Sequence, residues 1–361
     1  MTISQKILLL CLSLLLVSCS KNNATESLNN SSPVRFVYNQ KYGLFNPETK
    51  EVVLYPRYSY IEPFSNGFAL GITGNEGDVC DIIDTSGSVL YSYKTEPLSH
   101  TYCYNGFFYF VNDSNESYYH GLYNYKGEQV FKSDFIYSMN SECIITKEKS
   151  NYVFLFFDNK GIKQKKLLLP DTYSYEPFSN GFARFYGYNN DEKVFGMIKS
   201  DKKIAIPPKY KQLGAEFKEG LLIAEDENSL YGLLNQEGNW VIQPKYEQLL
   251  NYSGKVLAAK IKNWKLIDLN ENIIKSFPDN FTFISDFVQN IAIFSLTIDG
   301  SIKYGLINTQ GDFVLNATCE KILPNPDNGY WQILVNNKWK MFKENIGLIN
   351  TEEYLDFSKV N

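Results

Sequence analysis

Residues able to do chemistry are few in this chain, and their spacing does not assemble them. Only two histidines, His100 and His120, occur in 361 residues, so an imidazole pair for proton transfer or metal ligation would have to come from these two alone. Asp268, Asn270 and Asn272 have the alternate spacing of oxygen ligands in a calcium loop. That loop needs glycine at its sixth position and a bidentate glutamate at its twelfth. Ile273 and Asp279 stand there instead, and a hairpin turn is the expectation. Carboxylates gather at Glu225, Asp226 and Glu227 and at Asp191 and Glu192, between strand-like runs, where solvated loops are expected in place of acid-base work. No glycine-rich phosphate loop leads from a strand into a helix, and no Gly-x-Ser-x-Gly elbow occurs. These observations predict no catalytic residue, no metal and no cofactor.

Two further residue classes could recognise partners or cross-link the chain. Tyr102, Tyr104, Tyr118, Tyr119, Tyr186 and Tyr188 fall in or near expected loops, and Tyr with nearby Asn suits a sugar- or peptide-binding surface. Cys80, Cys103, Cys143 and Cys319 are widely spaced, without metal-ligand spacing, and leave open both disulfide pairing and a role as small buried hydrophobes.

The elements that must position these residues are repeats of one hairpin, cleanest at Leu230 to Tyr246, LYGLLNQEGNWVIQPKY. An aromatic-Gly pair opens an apolar run, Asn235 to Gly238 turns the chain, and Trp240 to Ile242 returns it. Copies begin with KYGLFN at Lys41, HGLYN at His120, VFGMIK at Val194 and KYGLIN at Lys303. Looser copies start at Cys80, Phe154, Trp264 and Trp339. The aligned positions Gly43, Asp81, Gly121, Leu155, Gly196, Gly232, Lys265, Gly305 and Lys340 recur about every 37 residues, a period typical of propellers and solenoids. A third segment, as in PFSNGFALGI from Pro63 and PFSNGFARFYG from Pro177, completes each unit as a three-stranded meander.

Local chemistry explains the recurring residues. Asn or Asp caps its own turn, and the glycine three residues later takes a left-handed conformation. Pro56, Pro208 and Pro244 cannot donate to a ladder and are expected to end strands. Gly43, Gly121, Gly196, Gly232 and Gly305 inside strands predict a bulge or a close backbone approach. A lone meander has one face to bury, so units must pack on their neighbours.

The aromatic-Gly opening, D/N-x-x-G turn, P-x-Y element and F-x-x-G element resemble the WG-repeat (KWG-type) family of bacterial repeats, over about residues 34 to 350. The resemblance implies an all-β fold and a role in binding, and it brings no catalytic residues. About nine tandem three-stranded antiparallel units are expected to form a β-propeller-like assembly, with an open β-solenoid or superhelical array as the alternative. Asp81, Leu155, Lys265 and Lys340, standing in the glycine position, predict units bent differently.

Composition sets the remaining bounds. The chain is 44% apolar and 16% aromatic, with a net charge of -5 and no basic stripe, which argues for a folded body and against nucleic acid. Lys6 followed by the apolar run Ile7 to Val17 reads as a signal peptide, too short to span a membrane. Leu16-Val17-Ser18-Cys19 resembles the lipobox of bacterial lipoproteins, which implies cleavage between Ser18 and Cys19 and lipidation of Cys19. The expected organisation is a signal peptide at 1–18, lipidated cysteine and flexible tether at 19–33, the repeat domain at 34–350 and a tail or cap at 351–361. Taken together, these features predict a lipid-anchored, non-enzymatic interaction module of the cell envelope, at the outer membrane. It would face an unknown protein partner, with a surface glycan as the alternative ligand.

Overall fold

The structure is a computed structural model and describes residues 32–74, 79–94, 102–104, 107–114, 117–140, 142–158, 161–324 and 327–359. Ser18 and Cys19 lie outside the described residues, as does the rest of the expected signal peptide.

Apolar runs and alternating runs divide the strand roles. Middle strands such as Ile291–Ile298, IAIFSLTI, are buried on both faces over most of their length. The last strand of a unit alternates, as in Trp240–Tyr246, where Ile242 and Tyr246 point inward and Val241 and Gln243 outward. Sandwiching between two neighbours explains the first pattern, and an edge position with one solvated face explains the second.

Among the described residues the strands form nine antiparallel sheets, each continuous in sequence, and together they make a nine-bladed β-propeller. Blade 1 contains β1 (Val34–Tyr38), β2 (Lys41–Asn46) and β3 (Glu51–Tyr58). Blades 2 to 9 then span residues 60–94, 102–133, 138–170, 174–210, 222–246, 248–276, 281–319 and 321–349. The three-stranded meander is present in all nine. Seven blades add a short first strand, such as Tyr60–Ile61 or Gln248–Leu249, drawn from the link between units. Blades 1 and 6 have three strands, although in blade 6 Leu213 bridges Ala224 at the corresponding place.

The core is distributed between blades. One cluster joins Leu44, Leu54 and Tyr58 of blade 1 to Ile61, Ala69 and Ile83 of blade 2. Each following pair of neighbours has its own cluster, up to Ile291 and Leu306 of blade 8 against Trp331 and Ile333 of blade 9. A ninth cluster brings Val34, Phe36 and Phe45 of blade 1 against Tyr330 and Met341 of blade 9 and Leu355 beyond it. Nine blades with nine interfaces make a closed ring. The open array is thereby excluded, and the segment after Ile349, with 3-10 turns at Thr351–Tyr354 and Phe357–Lys359, packs at the seam between first and last blades.

The turns follow the expected side-chain chemistry. Asn235 Oδ1 accepts from the N–H groups of Glu237 and Asn239, and Gly238 has φ of 79°. Asp84, Asn124 and Asn308 cap equivalent turns. Pro56, Pro208 and Pro244 do not end strands: they sit inside Glu51–Tyr58, Ile204–Tyr210 and Trp240–Tyr246. An edge strand tolerates proline where the ladder is already broken, and a bulge provides that break.

Candidate functional site

The bulge is best seen at Gly232. Tyr231 pairs with Tyr246 and Leu233 with Ile242, so Gly232 alone faces the three residues Gln243, Pro244 and Lys245 and has no partner on that side, while it pairs with Ala224 on the other. The excess chain folds over the glycine. A Cβ there would lie 2.5 Å from the Ile242 carbonyl oxygen and 2.9 Å from the Pro244 nitrogen. Gly43, Gly196 and Gly305 face Leu54, Ile206 and Leu315 carbonyls in the same way, with the same register jump. Gly121 differs, because it pairs directly with Lys132 and its space is bounded by the Tyr123 ring and the Gln129 side chain. At two of the positions where glycine is replaced the residue is paired directly, Asp81 with Ser92 and Lys265 with Ser276, whereas the register jumps just after Leu155. Asp81 is buried and accepts from Tyr58 Oη at 2.6 Å and Ser92 Oγ at 2.6 Å.

The other singled-out residues serve structure or surface. Asp268 accepts from the N–H groups of Asn270 and Asn272 and from the Asn272 side chain, which holds its carboxyl below its ordinary range. That is a capped turn. His120 is buried, its Nδ1 against the Tyr109 hydroxyl, and burial lowers its pKa. Glu225 is buried beneath Tyr231, whereas Asp226 caps its own turn through Asn228 and Leu230. Cys80, Cys143 and Cys319 are buried, and burial raises the thiol pKa to about 12 at Cys143 and about 11 at Cys319. The six tyrosines are not loop residues. Tyr102 and Tyr104 lie in the strand Tyr102–Tyr104, Tyr118 and Tyr119 in Ser117–Asn124, and Tyr186 and Tyr188 in Phe182–Asn189. Tyr188 is 72% exposed, while Tyr186 is covered by Lys193, 3.5 Å above its ring.

Two surface features were missed in the sequence. One is an exposed apolar side chain on the last strand of eight blades, including Leu90, Val130, Leu168, Ile204, Val241 and Phe313. Alternation along these strands carried the signal. The other is the seam, where Arg35, 6% exposed, reaches across to blade 9. Its Nε and Nη2 donate to the two Asp327 oxygens at 2.7 and 2.8 Å, and Nη1 donates to the Ile61 carbonyl at 2.9 Å. Burial opposes the guanidinium charge, but the Asp327 carboxylate outweighs it and raises the Arg35 pKa. The Arg35 N–H also donates to Asp327, at 2.8 Å, and Gln332 Nε2 donates to the Arg35 carbonyl.

Residues 42–70, 195–228, 231–263 and 304–339 match the family described as WG containing repeat. These four segments of the chain are similar to WG containing repeats. Each matched segment opens on an aromatic residue, Tyr42, Phe195, Tyr231 or Tyr304, followed by one of the four glycines that lie under a bulge. No curated protein matches the chain. Among solved structures, a eukaryotic initiation factor is similar with a TM-score of 0.60 at 11% identity, over 89% of this chain and 95% of that one. A dipeptidyl peptidase 4 of Porphyromonas gingivalis has a TM-score of 0.49 at 10% identity, over 81% of this chain and 59% of that one. An uncharacterized protein of Listeria monocytogenes EGD-e has a TM-score of 0.39 at 13% identity, over 67% and 89%. The first likeness concerns the fold alone.

Proposed function

We propose that this protein is a non-enzymatic protein-interaction module, held to a membrane of the bacterial cell envelope by lipid on Cys19. The observation that supports the binding role is the division of labour within the blades. Recurring residues such as Gly232, Asn235 and Pro244 are used up in bulges and turns, and the last strands present apolar side chains outward. Exposed apolar side chains on a rigid scaffold supply area for a partner to bury. Edge strands with free backbone groups supply a second means of attachment. The anchor rests on the Leu16-Val17-Ser18-Cys19 sequence, and a residue other than Asp after the cysteine favours the outer membrane.

Crosslinking in intact cells, followed by identification of captured proteins, tests the binding role. A defined partner set is expected, and capture indistinguishable from that of an unrelated envelope protein would contradict it. For the anchor, labelled fatty acid should enter the native chain and not the Cys19→Ala variant. Equal labelling of both would remove it.

A further inference from the structure

Antiparallel pairing turns the N–H and C=O of every second residue away from the partner strand. On β1 these residues are Arg35, whose backbone bonds go to Asp327 and Gln332, and Val37, two residues on. In other blades the short first strand meets both registers. The carbonyls corresponding to Arg35 accept from Glu62 in blade 2, Leu250 in blade 7 and Leu323 in blade 9. Those corresponding to Val37 accept from Ser59, Glu247 and Glu320. Among the described residues blade 1 has no first strand, and no hydrogen bond to the outward N–H or C=O of Val37 is seen. Val37 is nevertheless 4% exposed. Buried backbone groups without partners are costly, so this edge favours an occupant that supplies them.

A cavity of about 330 Å³ lies at this place, lined by Val37, Tyr38, Leu334, Lys338, Trp339 and Glu352. Its position matches the slot that a first strand fills elsewhere. In blade 2 Tyr60 pairs with Ile72, the counterpart of Val37, and its ring packs on Tyr42 of blade 1 at 5.4 Å. Trp339 of blade 9 is the counterpart of Tyr42 at the seam, since each stands one residue before the repeat's glycine position. The wall that would receive the ring is therefore present, and so is the backbone edge.

We infer that this slot binds an extended segment of a partner polypeptide, which pairs with Val37 as a short added strand and lays an aromatic or aliphatic side chain on Trp339. The inference rests on the interaction-module reading and names its site. Strand addition is a known mode of peptide recognition, in which main-chain bonds give affinity and a side-chain pocket gives selectivity. The chain's own first strands define the occupant: two to four residues in extended conformation, with the hydrogen-bond register of Tyr60–Ile61. The slot also continues directly from the Arg35, Asp327 and Gln332 contacts, so a bound strand would extend the seam that closes the ring.

The probe is a fluorescent hexapeptide with the sequence of Arg57 to Glu62, RYSYIE, titrated into the full chain and followed by anisotropy. Saturable binding is expected, weakened about tenfold or more by Trp339→Ala, by Tyr60→Ala in the peptide or by N-methylation of its backbone. Amide exchange at Val37 in the unaltered protein should slow on peptide addition, a readout that does not depend on the folding of a variant. No saturable binding together with unchanged Val37 exchange would overturn the inference. Binding that appears only after removal of residues 20–31 would overturn it in favour of a segment of this chain as occupant. Protection of Val37 that rises with protein concentration without peptide would do so in favour of a second copy. Cellular capture of the same partners by Trp339→Ala would reject the slot while leaving the interaction reading intact.

Discussion

At Gly232 the missing side chain is what admits the Ile242 carbonyl and the Pro244 ring into the bulge. Alanine there has little room to relax, because two of the three obstructing atoms, including the nearest, are backbone and the third belongs to the Trp240 ring. Gly232→Ala is expected to cost about 1–3 kcal/mol in urea unfolding, the range for overpacking a tight site. Gly121→Ala should cost less, since the Tyr123 and Gln129 side chains can move aside. Equal losses would mean that the backbone bulge is not the reason for glycine. His120 gives a second residue-scale test. Burial holds its pKa below 6.5, so between that value and the lower folded pKa the unfolded chain carries a proton that the folded chain does not. Its contribution is complete above pH 6.5 and is lost as pH falls through this window. Urea midpoints at about pH 7.5 and about pH 5.5 should therefore fall further in the native protein than in His120→Gln. An identical fall would contradict the buried neutral imidazole.

At the scale of elements, the hairpins were legible because their signals are local: aromatic-Gly openings, Asx turns and alternation all act within about ten residues. What escaped reading depends on distant chain. The short first strands, such as Gln248–Leu249, carry too few residues to show a period, and pairing with Leu257–Ile261 defines them. Prolines 208 and 244 signalled strand ends because proline breaks a ladder, whereas the bulge had already broken it. Arg35 gave no signal in the sequence, since its partner Asp327 lies 292 residues away. The last strands yield a prediction at this scale. Ile204→Glu and Val241→Glu alter exposed positions and should change stability by no more than about 0.5 kcal/mol. If these strands carry partner contacts, the same substitutions should reduce crosslinked capture; unchanged capture would remove the strands from the interface.

For the whole molecule, closure decides whether nine units behave as one body. In an open array the end blades would each expose a face, whereas here Phe36 and Met341 share a core and blade 9 side chains hydrogen-bond the free edge of β1. A buried pair such as Arg35 and Asp327 contributes modestly to net stability, yet removing one partner strands the other charge and is strongly destabilising. The seam is thus the place where a change in two side chains reports on the ring. The most direct test is a double-mutant cycle on Arg35 and Asp327, using Arg35→Met and Asp327→Asn and urea unfolding of the full chain. The closed ring predicts a coupling energy of about 1–3 kcal/mol between these residues. Additivity within about 0.3–0.5 kcal/mol, the behaviour of distant independent sites, would contradict it.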